Sequence, residues 1–147
     1  MQNSIIIHVD GTPKPQPRPR ATRAGLRARV YNPPSADVWK GSIRDSLRIR
    51  HKEILGKKFP GPIGLRVEFY FKAPTGFKDT FFAKHTAKPD IDNLLKPVMD
   101  VLTEEGIWAD DSQVVEVSAS KWIARPRPGS TGGATIRIEF FEQEGCE

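Results

Sequence analysis

Cysteine is almost missing from this sequence: one residue, Cys146, beside the last position. A lone thiol closes no intramolecular disulfide and cannot supply a multi-cysteine zinc site, so a disulfide-stapled scaffold and a zinc ribbon are both excluded. A reducing, cytoplasmic setting is the matching expectation. Long apolar runs are missing too. None approaches the roughly 18 residues that a membrane span needs, and no membrane partner is expected. The apolar stretch Ile5–Ile7 has no basic lead-in and no small-residue cleavage site, so it does not read as a signal peptide. No internal repeat and no second domain is visible. Residues 1–147 are expected to form one domain, long enough to bury a hydrophobic core.

Acid is absent from one stretch: between Lys14 and Arg29 there are six basic residues and no Asp or Glu. The imbalance extends further. Residues 1–58 hold thirteen Lys/Arg against four Asp/Glu, while residues 59–147 hold ten against fourteen. A basic half beside an acidic half suits a polyanion gripped by one region and a cation-binding, acid-lined site in the other. Plain charge scatter on a basic protein is the bland alternative. Four prolines alternate from Pro13 to Pro19, each removing a backbone donor and fixing φ, so this is read as an extended, polyproline-like arm. Like-charge repulsion favours a basic loop over about 12–29, with a short strand near Arg29–Tyr31. Lys14, Arg18, Arg20, Arg23, Arg27 and Arg29 are candidate phosphate contacts, which give affinity and salt sensitivity rather than sequence choice.

Periodicity places the remaining elements. Residues 4–10 read as a strand. Ser35 is a plausible N-cap for a helix to about Ile54, with Val38, Trp39, Ile43, Leu47 and Ile54 as its buried stripe. Strict alternation over 63–72 marks a half-buried strand. A second helix is expected over about 93–105, with Leu95, Val98, Met99 and Leu102 inward and Gly106 as its stop. Pro97 must lie in the first turn of that helix or kink it. Strands at about 113–122 and 133–142 complete an α+β pattern: a mixed sheet of four or five strands packed against two helices. His8, His51 and the three tryptophans are read as structural. Phe77, Phe81 and Phe82, in the long connection after the strand, are a wedge or dimer-contact hypothesis.

The chemistry gathers at Lys88-Pro89-Asp90-Ile91-Asp92-Asn93. On extended backbone Asp90 and Asp92 point to one side, and acids leading into a helix N-terminus gain from its dipole. The pair Asp110-Asp111 precedes a strand, and one of the two is expected to join a shared site. Converging carboxylates repel unless a cation neutralises them, and Mg²⁺ or Mn²⁺ prefer such oxygen ligands. The spacing alone equally fits a helix cap at Asp92 or Asn93 and a turn at Asp110-Asp111.

Over 85–121 the ordered pattern Asp90-x-Asp92-Asn93-Leu94, Lys96, Asp100-x-Leu102 and Trp108-x-Asp110-Asp111-x-Gln113-Val114-Val115 resembles the RusA-type Holliday junction resolvases. Gly11-Thr12-Pro13, Arg18-Pro19-Arg20 and Val30-Tyr31 resemble the prophage-type branch of that family. The resemblance implies a homodimeric, Mg²⁺- or Mn²⁺-dependent endonuclease that nicks a four-way DNA junction symmetrically, in recombination and repair. It implies metal-holding Asp90, Asp92 and Asp111, with Lys96 assisting at the scissile phosphate. Asn93 and Asp110 then support these groups from behind, and His85 and Lys88 are further phosphate contacts. Pro97 and Pro89 depart from the family pattern. Two other readings stand beside it: a nuclease of wider branched-DNA specificity (flaps, forks) and a basic DNA-binding module without catalysis.

Overall fold

Ten residues of strict alternation build the centre of the sheet. In the computed structural model, which describes residues 3–17, 20–24, 27–31, 34–73, 83–124 and 131–142, the chain runs as β1 (Ser4–Asp10), β2 (Arg20–Ala24), β3 (Arg27–Tyr31), α1 (Asp37–Arg50), β4 (Ile63–Lys72), β5 (Ala83–Lys84), α2 (Ile91–Glu104), β6 (Val114–Ala124) and β7 (Gly132–Phe140). β4 lies mid-sheet in the order β1-β7-β4-β6-β5, parallel to β6 and antiparallel to β7. The sheet is therefore mixed, with four full strands and a two-residue edge. Ile63, Leu65, Val67 and Phe69 of β4, Ile7 and Val9 of β1, and Ile136 and Ile138 of β7 are buried on one face. Trp39, Ile43 and Leu47 of α1 and Leu94, Val98, Val101 and Leu102 of α2 join the same apolar cluster. This is the expected α+β fold.

Four expectations need correction. Val38 is 84% exposed, because the one-turn spacing of Trp39, Ile43 and Leu47 defines the inward stripe and Val38 stands off it. Ser35 lies inside a 3-10 turn (Pro34–Ala36), and α1 starts after Ala36 without a side-chain cap. α2 buries Leu94 and Val101 where Leu95 and Met99 were expected; those two are half-buried against the cluster. The basic loop is half a hairpin: β2 pairs antiparallel with β3, Arg20 opposite Tyr31 and Ala24 opposite Arg27. Ladder hydrogen bonds there outweigh the like-charge repulsion that argued for a loop. Phe77, Phe81, Phe82, Arg18 and Cys146 lie outside the described residues.

Both ends of α2 are fixed. At its C-terminus Gly106 takes φ 72°, Gly106 N–H donates to Thr103 O and Ile107 N–H to Leu102 O, the paired bonds of a Schellman stop. Only glycine fits, since a Cβ there would stand 2.9 Å from the Gly56 Cα. Alongside, Lys40, Arg44 and Arg48 of α1 face Asp100, Glu104 and Glu105, at 3.6, 2.8 and 2.8 Å. These pairs are only partly exposed and bridge the two helices along their length; single surface ion pairs contribute little each. Part of the basic surplus in the first half is thus neutralised within the chain. Most of the other basic residues of that half lie, by sequence, in the arm and hairpin.

Candidate active site

Lys121 of β6 positions the first acids. Its Nζ donates to Ala87 O at 2.7 Å and Pro89 O at 2.8 Å, and its own carbonyl accepts from His85 N–H. The loop entering α2 is thereby tied to the sheet. Asp90 is the N-cap residue, extended at φ −73° and ψ 145°, yet its side chain makes no capping bond. Asp92 lies in the helix's first turn, so the extended-chain argument that paired it with Asp90 applies only to Asp90. Both are exposed, at the end of α2 where the helix dipole favours negative charge. Neither carboxylate has a hydrogen-bond or ion-pair partner among the described residues. The alternative in which Asp92 or Asn93 caps the helix does not hold.

Lys96 follows Asp92 by one turn on the same face. It is 57% exposed and 3.2 Å from Asp100 Oδ1, and Asp100 also meets Lys40. Asp100 thus has a partner rather than only solvent. Asn93 contributes its backbone: the carbonyl accepts the Gln16 N–H at 2.8 Å.

Asp111 sits at the other end of α2. Its Oδ1 accepts from the Thr103 hydroxyl and from the Trp108 indole N–H, the latter at 3.3 Å. Trp108 also donates to Thr103 Oγ1 at 2.7 Å. Asp110 serves the turn: its side chain accepts from Ser112 N–H while Gln113 Oε1 accepts from Asp110 N–H, a reciprocal cap. Hydrogen bonds from Ser112 hold the Asp110 carboxyl below its ordinary pKa. The turn orients Asp111 and leaves Asp110 a supporting role. From Asp92 to Thr103 the helix rises about 16 Å, at ~1.5 Å per residue. Within one chain Asp111 therefore does not converge on Asp90 and Asp92. Among the described residues no three His, Cys, Asp or Glu side chains are grouped to hold one cation.

Of the expected phosphate contacts, Lys14 and Lys88 are exposed, and Arg20, Arg23, Arg27 and Arg29 stand on the hairpin. His85 differs. Its ring stacks on Phe71 at 4.5 Å, and its Nδ1 is buried without a hydrogen-bond partner among the described residues. Burial, then the Lys121 charge, pushes its pKa below the ordinary histidine value, which favours a neutral structural ring over a phosphate-binding cation. Thr103, Trp108, Lys121 and Gln113 hold these acids or their loops in place, and the sequence reading did not single them out for it. Only Trp108 and Gln113 carried a signal, as members of the late motif.

The family model described as "Endodeoxyribonuclease RusA" matches residues 10–139, which include all of these acids. An "Uncharacterized protein YqaN" of Bacillus subtilis (strain 168) is 28% identical over 129 residues, covering 82% of this chain and 88% of that protein. A "Crossover junction endodeoxyribonuclease rusA" of Lactococcus phage r1t is 35% identical over 60 residues, covering 41% of this chain and 44% of that protein.

Proposed function

The chain belongs to the RusA endodeoxyribonuclease family and is an endodeoxyribonuclease; from that premise we propose that it resolves four-way DNA junctions by paired symmetric nicks, as a homodimer, in DNA recombination and repair. The observation that carries this reading is the division of the acids. Among the described residues Asp90 and Asp92 stand unpartnered at one end of α2, and Asp111 is held in position at the other. Two copies related by a two-fold axis would let one chain's Asp111 complete the other's site, and a junction has matching approximate symmetry.

The sheet offers the edge for such pairing. β5 covers β6 only at Trp122 and Ile123, with one further bond at Lys121. Among the described residues no strand pairs with the edge before that, which carries Val115 and Val117, 61% and 48% exposed. An open edge is a template for another strand. Antiparallel pairing about a two-fold axis at Glu116 sets Val115 against the partner's Val117. It also leads the 3-10 turn that carries Asp111 toward the end of the partner's β6, where the partner's Lys121 ties down the loop entering Asp90.

Mg²⁺, or Mn²⁺ in its place, fits the unspent carboxylates of Asp90 and Asp92, since it takes one or two protein carboxylates and fills its sphere with water and phosphate oxygens. When bound it supplies Lewis acidity and charge neutralisation at the phosphodiester. Lys96 exchanges Asp100 for the scissile phosphate and stabilises its growing charge. Asp111, its Oδ1 occupied by Thr103 and Trp108, presents Oδ2 to the site. Lys14, Lys88 and the hairpin arginines grip backbone phosphates, which sets affinity and salt dependence. Incubation of a labelled four-way junction with Mg²⁺ or EDTA tests the reading. Symmetric nicks with Mg²⁺ alone are expected. Cutting of flaps or forks with the junction intact would replace the substrate, and absence of product on every DNA would contradict catalysis.

A further inference from the structure

Pro97 lies inside α2, buried, as its seventh residue. Proline has no N–H and its ring crowds the carbonyl four residues back, so Asn93 C=O has no helical partner. The structure fills that vacancy from another part of the chain, through the Gln16 N–H at 2.8 Å. Pro97 was expected in the first turn or at a kink; it stands in the interior, and α2 continues through it to Glu104. Residue 16 is one of few places able to make this bond. Pro13, Pro15 and Pro17 have no donor, which leaves Lys14 and Gln16 as the N–H groups of that stretch.

The arm is held at its other end as well. Gly11 N–H donates to Gly132 O and the Thr12 hydroxyl to Thr131 O, both at 3.3 Å, and Pro13 is buried. From the sheet it therefore runs to the first turn of α2, one residue from Asp92, and the chain then continues toward β2 and its arginines. We propose that Gln16 is a positioning residue: its backbone N–H latches the basic arm to the helix of Asp92 and Lys96 at the carbonyl Pro97 leaves free. The latch sets the register of the gripped DNA against the acids. Phosphate contacts hold the DNA, and the latch decides which phosphodiester reaches Asp90 and Asp92. The inference rests on the nuclease reading above. Gln16 Oε1 is buried without a hydrogen-bond partner among the described residues, so the side-chain oxygen adds nothing to the latch.

The test compares Gln16→Pro, which deletes the donor within an arm already rich in proline, with Gln16→Ala, which keeps it. Each is assayed on whichever branched DNA the wild-type chain cuts, so loss of the junction preference changes the substrate and not the comparison. Gln16→Pro is expected to keep wild-type DNA affinity and salt dependence, to lower kcat by roughly ten- to a hundredfold as misplaced reactants do, and to spread the nick over neighbouring phosphodiesters. Gln16→Ala is expected to match wild type. A Gln16→Pro chain that cuts at the normal rate and position overturns the latch, as does a Gln16→Ala chain equally impaired. Amide exchange in the free wild-type protein needs neither DNA nor a folded variant. Slow exchange at Gln16 N–H is expected, and exchange as fast as in an open loop overturns the proposal.

Discussion

The two ends of α2 carry acids in opposite conditions. At the N-terminal end Asp90 and Asp92 are exposed and unpartnered among the described residues, where a loop that Lys121 ties to the sheet enters the helix. At the C-terminal end Asp111 is fixed by Thr103 and Trp108, on a turn closed by Asp110 and Gln113. Helix length keeps the two sets apart. One end offers ligand-ready oxygens, the other a carboxylate oriented in advance, and in the proposed homodimer a second chain would bring them together.

The largest expected effect is at the first end. Asp92→Asn removes a charged oxygen donor and should reduce nicking on the order of a thousandfold, since several kcal/mol of charge stabilisation go with it, while a gel shift still shows junction binding. Retained cutting would assign the chemistry elsewhere. Next comes the proposed contact between chains. Val117→Lys puts a charge on the open β6 edge, a standard obstacle to strand pairing. It should elute as a monomer with nicking nearly abolished; a dimeric, active variant would move the interface elsewhere.

Effects at the second end should be smaller. Thr103→Val keeps the shape and removes the hydroxyl between Trp108 and Asp111, at a cost of about 1–2 kcal/mol for an unmade bond in a half-buried site. Nicking should fall with it by roughly tenfold through misorientation. A shifted melting temperature with normal nicking would make that tie purely structural. Smallest is a pH effect beside the first end. Burial holds the His85 pKa below 6.5 in the folded chain, so the unfolded chain binds the proton more readily. The contribution is fully present above about 6.5 and is lost as pH falls below it toward the lowered folded pKa. Thermal melts between pH 7.5 and 5 should show this, and His85→Phe should flatten the trend.

Much of this was legible in advance because side-chain periodicity states which face is buried. Residues 63–72 alternate without a break and form the strand as read, and Gly106 stops α2 because its backbone turns left-handed there. The β2–β3 hairpin was hidden, since its arginines argue for repulsion and the ladder bonds that overrule them leave no apolar pattern. Asp90 and Asp92 were legible as a pair, though the geometry given for Asp92 was that of a strand rather than a helix turn. The hold of Thr103 and Trp108 on Asp111 depends on how a helix end meets a turn, which spacing along a chain does not encode. The Gln16–Asn93 bond was equally hidden: Pro97 announced a vacant carbonyl but not its occupant.

Mixing two inactive variants tests the division of the site most directly. Asp92→Asn and Asp111→Asn chains are each expected to be inactive alone. Co-refolded, they form heterodimers in which one composite site pairs an intact Asp90 and Asp92 with an intact Asp111 from the partner, while the other site carries both changes. The mixture is expected to regain nicking of one junction strand. A mixture as inactive as its components, under conditions where heterodimers form, would contradict that division of the site.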